Sequence, residues 1–271
     1  MADYKVSVGN VEIISLSDGT GDFPAADVFP KVSSAEWDKY PGTVSAEGKL
    51  NTNFGCFALR SQGQTILVDT GLGPSFPGRL LEELKGKGVD LSEIAVVAIT
   101  HLHPDHVGWN LVQDGGKAHL TFPRARYWIP KGDWDHFRQP QVLAQASHVA
   151  NQVVPLEQLG ALNLVEGETT VTSEVTMVPT PGHTPGHMSV AIASQGELGF
   201  ILGDVANFPF QAQETSWEMS FDNDSDHARR TREAVLERLE RDGSLVGAGH
   251  FMPPSFGRFV RAEGRRYWRG I

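Results

Sequence analysis

The sequence predicts an α/β protein, and three observations carry that expectation. Leu80, Leu81 and Leu84 recur at helical spacing and lead into a continuous β-branched run, IAVVAIT at 94–100, of the kind buried on both faces of a sheet. Strand followed by helix occurs in both halves of the chain, which implies layers of the two. Between them lie short apolar strands punctuated by Gly- and Pro-rich turns.

In chain order, residues 4–16 alternate around Gly9-Asn10 as a β-hairpin does. Residues 17–49 show little periodicity, and a segment of that length within a domain is read as an arm or lid. Strands are expected at 53–59 and 65–69, turning at 61–63, and then at 94–100 after the leucine helix. Pro104 ends that strand, because proline cannot donate to a central ladder. A strand at 125–129 precedes a helical region at 131–149 that is interrupted near Pro140. Short strands follow at 177–180, 188–193 and 199–202. Residues 225–241 form an amphipathic helix with acid at its start and Arg at its end. A strand at 245–248 and a hairpin at 257–268 complete the pattern. No linker or repeat divides it, so residues 1–271 are expected to form a single domain.

Composition narrows the function. Of 271 residues, 40% are hydrophobic and 21% charged, which excludes disorder, collagen and coiled coil. The 23 Lys and Arg against 33 Asp and Glu leave a net charge of −10, so no nucleic-acid partner is expected. The first ten residues lack a basic and then apolar leader, and no apolar run approaches the ~18–20 residues needed to span a bilayer. A cytoplasmic protein without a membrane partner is the expectation. The single cysteine, Cys56, cannot form an internal disulfide, whereas there are ten histidines. Any metal must therefore be held by nitrogen and oxygen.

The densest chemistry is HLHPDH at 101–106. In an extended loop His101 and His103 can share one cation, while Asp105 and His106, beyond the turn at Pro104, can face a second. Imidazole and carboxylate suit Zn²⁺. The competing reading is a solvated polar loop.

THLHPDHVG at 100–108, TPGHTPGH at 180–187, ILGD at 201–204 and GAGH at 247–250, in that order, resemble the metallo-β-lactamase superfamily of dinuclear hydrolases. The resemblance covers nearly all of the chain from Asn53 onward. It implies an αββα sandwich of two mixed β-sheets flanked by helices, with the site on loops at one sheet edge. By the family pattern His101, His103 and His183 hold one metal, Asp105, His106 and His250 the other, and Asp204 bridges them. Asp69, in LVDTG, matches the aspartate that orients metal-binding imidazoles. His187 is expected to pack or hydrogen-bond beside the site, and His119, His136, His148 and His227 are read as ordinary histidines. Two divalent cations, zinc expected, keep the cluster electrophilic against Asp105, Asp204 and one bridging hydroxide. A single Zn²⁺ already lowers the pKa of its water to about 7, so hydrolysis by that hydroxide is the implied reaction.

Within the superfamily, β-lactamases of the commonest metal-dependent type place Cys at the bridge, where this chain has Asp204. Glyoxalase II enzymes continue into a helical extension, whereas only residues 251–271 follow His250 here. Flavodiiron proteins usually carry Glu at the position of His103, and RNA-processing members need a basic face. The ending GHFMPPSFGRFVRAEGRRYW is most similar to the methyl parathion hydrolase branch, close kin of N-acyl-homoserine-lactone lactonases. Those lactonases typically carry Tyr three residues after the bridging Asp; Asn207 stands there and is expected to donate a hydrogen bond to a substrate oxygen. Asp105, Asp204 and Asn207 are the candidate catalytic residues. The expected substrate is a lactone or ester, with phosphotriesters as side substrates. Related lactonases also imply a homodimer in which 17–49 covers the neighbour's site. Alternatives are a β-lactamase or thioesterase of the same fold, or a non-catalytic carrier of a small molecule or metal. Trp109, Trp128, Trp134, Phe208, Phe210 and Trp217 are candidates to line an apolar pocket. Arg258, Arg261, Arg265, Arg266 and Arg269 are expected to pair with acids such as Asp222, Asp224 and Asp226.

Overall fold

The first hairpin joins β1 (Lys5–Val8) to β2 (Val11–Pro24) through Gly9 and Asn10. This computed structural model describes residues 4–74 and 76–271. β2 outruns the expected hairpin: residues 17–24, read from the sequence as weakly structured, pair with β3 (Lys49–Ser61). A register shift between Ser17 and Thr20 breaks the alternation there, and Gly19 at φ 143° relaxes the bulge. The remainder of that segment holds two single-turn helices, α1 (Ala25–Val28) and α2 (Ser34–Trp37). Gln62 and Gly63, both at positive φ, then turn β3 into β4 (Gln64–Val68).

The leucine-rich helix is α3 (Leu80–Gly86), followed by β5 (Ile94–Ala98) and by α4 (Pro104–Val107), with Pro104 in its first turn. A small hairpin, β6 (Leu111–Asp114) and β7 (Lys117–Leu120), was not expected from the sequence. After β8 (Arg126–Pro130) the helical region is broken into α5 (Lys131–Phe137), α6 (Pro140–Leu143), α7 (Ser147–Gln152) and α8 (Pro155–Gln158), before β9 (Leu162–Val165). The second half forms β10 (Thr169–Thr172), β11 (Val175–Pro179), β12 (Met188–Ser194) and β13 (Glu197–Ile201). It then forms α9 (Ser225–Asp242), β14 (Leu245–Gly247), β15 (Phe256–Ala262) and β16 (Arg265–Gly270). The Asp224 carboxylate caps the start of α9, and Gly243 at φ 61° ends it.

Two seven-stranded sheets result, ordered β1-β2-β3-β4-β5-β8-β9 and β10-β11-β12-β13-β14-β15-β16. Both are mixed: β4, β5, β8 and β9 run parallel, as do β13 and β14. Ile13, Phe57, Ile66 and Val68 of the first sheet pack on Met177, Val190, Ile201 and Phe256 of the second. The outer face of the first sheet buries Leu67 and Val97 against Leu80, Leu84, Trp134 and Val149. The outer face of the second buries Phe200, Val246 and Phe259 against Leu236 and Leu239 of α9. The αββα order follows from these three apolar layers, the one large favourable term in folding that grows with buried area. No helix among the described residues is long and apolar enough to cross a membrane.

Candidate metal centre

The ends of β4, β5, β11, β13 and β14 deliver their following loops to one edge of the sandwich, and every predicted ligand lies on one of these loops. His101, His103 and His183 bring ring nitrogens within 4.8 Å of one another, and so do one ligand atom each of Asp105, His106 and His250. Asp204 lies between the groups. Its Oδ2 is 3.3 Å from His183 Nε2, and its Oδ1 is 3.3 Å from His106 Nε2 and 3.1 Å from His250 Nε2. Asp105 reaches the second group alone, with Oδ2 3.6 Å from both His106 Nε2 and His250 Nε2.

Three of the five imidazoles are aimed from behind. His106 Nδ1 donates to Asp69 Oδ2 at 2.9 Å, His183 Nδ1 to Asp222 Oδ1 at 2.9 Å, and His250 Nδ1 to the Asn53 carbonyl at 2.8 Å. These bonds fix the tautomers and leave the three Nε2 lone pairs facing inward. Asp69 also accepts from the Thr100 amide and hydroxyl, both at 2.8 Å, so it ties the end of β5 to His106.

His187 belongs to the wall. Its Nε2 accepts the Asp204 amide at 2.9 Å and its Nδ1 donates to the Thr180 carbonyl at 3.1 Å, which leaves it no lone pair for a cation although it lies near His101 and Asp204. Burial holds its pKa down at about 3, so it stays neutral for this task. Asn207 donates from Nδ2 to Asp204 Oδ2 at 2.8 Å, fastening the central carboxylate.

A complete hydrogen-bond network here would argue against an ion. Instead His101 Nε2, His106 Nε2 and Asp204 Oδ1 are buried without a hydrogen-bond partner, and all three face the same small space. Stranded polar atoms are uncommon in folded interiors, and a nitrogen and oxygen set of this kind suits a divalent cation. The donor set therefore fits two metal ions.

Charge supports the same reading. Burial alone would lower the pKa of His106, but Asp105, Asp204 and Asp69 outweigh it and raise the value to about 10. For His250 the same contest, with Asp204 and Asp105 on the raising side, gives about 9. Burial pushes Asp204 up, yet His250, His106, His101 and His183 together hold it well below the usual carboxylate range. Both raised imidazoles are thus protonated at pH 7 in chelator-stripped protein, and a metal must displace those protons. Calorimetry in buffers of different ionisation enthalpy should show at least two protons released per chain at pH 7, two from these imidazoles and one more where the bound ions ionise a water. The number should fall as pH rises through 9 to 10; release that does not change with pH would contradict the assignment.

Several contributors carry no sequence signal. Asp133, in the first turn of α5, accepts from the Leu102 amide (2.9 Å), the Thr184 hydroxyl (2.9 Å) and the Gly186 amide (2.6 Å), clamping two ligand loops together. His148, read as an ordinary histidine, donates from Nε2 to the Leu102 carbonyl at 2.8 Å. Asp18, at the β2 bulge, accepts from the Leu72, Gly73 and Leu80 amides and from Trp109 Nε1.

The aromatic expectation is corrected. Trp134, Phe208, Phe210 and Trp217 are buried in cores, Trp128 packs between the sheets, and Trp109 turns its ring nitrogen to Asp18. The rings beside the centre are others. Phe54 stands edge-on to His250 with centroids 6.3 Å apart, and Phe76 and Phe23 contact Phe54 at 6.0 and 6.4 Å. Phe221 extends the row through Phe23 at 6.5 Å. Phe76 and Phe221 are 42% and 49% exposed, which is high for phenylalanine. The arginine expectation also changes: Arg261 and Arg266 pair with Glu240, and Arg258 bonds the Gly243 carbonyl. Asp222 faces His183 and Arg232 instead, and Asp224 caps α9.

With this geometry in view, a family model described as the metallo-beta-lactamase superfamily matches residues 56–250, a span that begins on β3 and ends at His250. The chain belongs to the metallo-beta-lactamase superfamily. It is 30% identical over 235 residues to the uncharacterized protein YobT of Bacillus subtilis, covering 80% of this chain and 88% of that one. It is 24% identical over 233 residues to an N-acyl homoserine lactonase of Bacillus cereus, covering 77% and 85%. Among solved structures of the superfamily fold it superposes on the hydrolase AbOPH with a TM-score of 0.87 at 23% identity, covering 100% and 98% of the two chains. On the dizinc quorum-quenching lactonase AidC, solved with a product, the TM-score is 0.84 at 24% identity over 98% and 96%. Membership with these relatives makes the protein a metal-dependent hydrolase of the superfamily.

Proposed function

We propose that the protein hydrolyses lactones and related esters at a two-zinc centre, with phosphotriesters as side substrates. The observation that carries this reading is the convergence of stranded imidazole and carboxylate atoms on one space, in two groups that share Asp204. His101, His103 and His183 would hold one ion, Asp105, His106 and His250 the other, and Asp204 both. When bound, such a pair polarises a carbonyl or phosphoryl oxygen and activates water at neutral pH.

The rest is done by side chains. Asp69, Asp222 and the Asn53 carbonyl hold a proton at each Nδ1 and keep the rings turned so that Nε2 faces the centre. Asn207 holds Asp204 in place with one Nδ2 hydrogen, and its second Nδ2 hydrogen would serve a substrate oxygen. Its Oδ1 is buried without a partner, leaving an acceptor beside the central carboxylate. The Phe221–Phe23–Phe54–Phe76 row offers an apolar surface next to His250, suited to an acyl chain or aryl group and to excluding water around it. The homology to N-acyl homoserine lactonases supports the lactone class.

A panel of acyl lactones, p-nitrophenyl esters, paraoxon-type triesters, nitrocefin and S-lactoylglutathione tests the proposal. Lactones or esters should be turned over, activity should vanish on chelation and Zn²⁺ should restore it. Exclusive turnover of nitrocefin or the thioester by metal-loaded protein would overturn the substrate assignment. Within the preferred class, Phe221→Ala and Phe76→Ala should raise KM about tenfold for long-chain substrates and much less for short ones, since each buried methylene contributes roughly 0.8 kcal/mol. Equal effects on long and short chains would remove the aromatic row from substrate binding.

A further inference from the structure

The centre is braced from the far side of the second sheet by a buried arginine. Arg232 lies mid-way along α9, is 1% exposed, and is the largest fully buried side chain among the described residues. Its Nε donates to the Val205 carbonyl at 2.8 Å, directly after Asp204. Its Nη1 reaches the Thr215 and Trp217 carbonyls at 2.9 and 3.4 Å, and its Nη2 reaches Asp222 Oδ2 at 3.3 Å. The other oxygen of Asp222 receives His183 Nδ1. One guanidinium therefore touches the backbone beside the central carboxylate, the segment leading to Phe221, and the acid that turns His183.

The surrounding backbone makes α9 the support for the His183 turn as a whole. Asn223 and Asp224 donate amides to the His183 and Gly182 carbonyls at 2.9 and 3.0 Å, and the Thr231 hydroxyl bonds the Pro181 carbonyl at 2.6 Å. Gly182, at φ 133°, lies so close to Ala228 that no Cβ fits between them. A guanidinium is costly to bury, and an apolar side chain of similar volume would fill such a space at least as well. Its planar fork of donors, however, can hold several carbonyls and a carboxylate in fixed relation, which neither lysine nor an apolar residue can do. The other half of the centre lacks this support: His106 leans on Asp69, and His250 on Asn53 of β3.

We propose that Arg232 is a positioning residue for the three-histidine half of the centre, acting through Asp222 on His183. This inference rests on the two-metal reading above. It makes the two ions separable: loss of Arg232 or Asp222 weakens the one held by His101, His103 and His183 and spares the one held by Asp105, His106 and His250.

Chelator-stripped protein titrated with Co²⁺ against a competing chromophoric chelator reads the two affinities and the visible spectrum of each bound ion. Wild type should take two equivalents. Arg232→Met and Asp222→Asn should keep one equivalent at wild-type affinity and bind the other about 10- to 100-fold more weakly, with an altered spectrum for that ion alone. Arg232→Lys should fall between, and Arg230→Ala, exposed on the same helix, should match wild type. Equal weakening of both equivalents, or of neither, in variants that keep the near-ultraviolet circular dichroism of the folded protein overturns the proposal. If Arg232→Met does not fold, the near-isosteric Asp222→Asn decides. Fewer than two equivalents in wild type would instead overturn the two-metal reading beneath it, and that appears before any variant is examined.

Discussion

Asp204→Ala should bind no more than one metal per chain and lose at least about a thousandfold in kcat/KM, a barrier increase of roughly 4 kcal/mol. Among the described residues no other side chain lies within ion-pair distance of as many imidazoles: Asp204 faces His101, His106, His183 and His250. Removing it takes away two carboxylate oxygens and one negative charge from between the groups, so the pocket should accept a second cation poorly. Metal analysis after gel filtration and steady-state rates on the preferred ester check this. Two retained equivalents with near-normal turnover would show that Asp204 is not shared. Asp204→Asn is the useful companion, since it preserves shape while removing the charge.

Gly108→Ala should lower the melting temperature by about 10 °C, corresponding to roughly 3 kcal/mol at 2–4 °C per kcal/mol for a chain of this size. Around Gly108 two loops meet backbone to backbone. Thr70 donates to the His106 carbonyl at 2.8 Å, Gly108 to Gly71 at 2.7 Å, and Trp109 to Thr70 at 3.1 Å. A Cβ on Gly108 would overlap the Leu72 carbonyl, and one on Gly73 would overlap Gly108 in return. These are main-chain atoms that cannot swing aside, so the methyl must part the loops bearing Asp69 and His106. Thermal melts with and without Zn²⁺ read the effect, and the zinc-dependent rise should shrink as well. A variant melting within about 2 °C of wild type would show that the close approach is not needed.

The cluster of candidate ligands was legible because its pattern is written locally. Four lie within six residues at 101–106, and the remaining three sit at Gly-rich strand ends whose order matches a known family. The sandwich was legible for the same reason, and continuous apolar runs such as 94–98 marked the central strands. What holds the ligands was not legible. Asp133 meets loops 31 and 53 residues away, and Asp222 meets His183 across 39 residues. In sequence each is one acid among 33, with no spacing to distinguish it. The aromatics failed differently. Proximity to a motif in sequence selected Phe208, Phe210 and Trp217, yet these close over Phe29 and Trp37 of the N-terminal segment. Phe54, by contrast, sits in a strand whose apolar pattern looks like ordinary core. The β2 extension was hidden because its bulge breaks the two-residue period on which strand recognition depends.

The division of ligands between the two sheets sets an order of events during synthesis. Asp69 and the 101–106 cluster belong to the first sheet, while His183, Asp204 and His250 follow strands of the second. A nascent chain emerges N-terminus first, so the first sheet and its helices are available to fold while much of the second is still unmade. At that stage the His101–His106 loop offers only open, partial sites. The pocket is complete only once β14 has paired with β13 and carried His250 against Asn53. A pocket that gathers all seven candidate ligands therefore exists only in chains in which both sheets have docked.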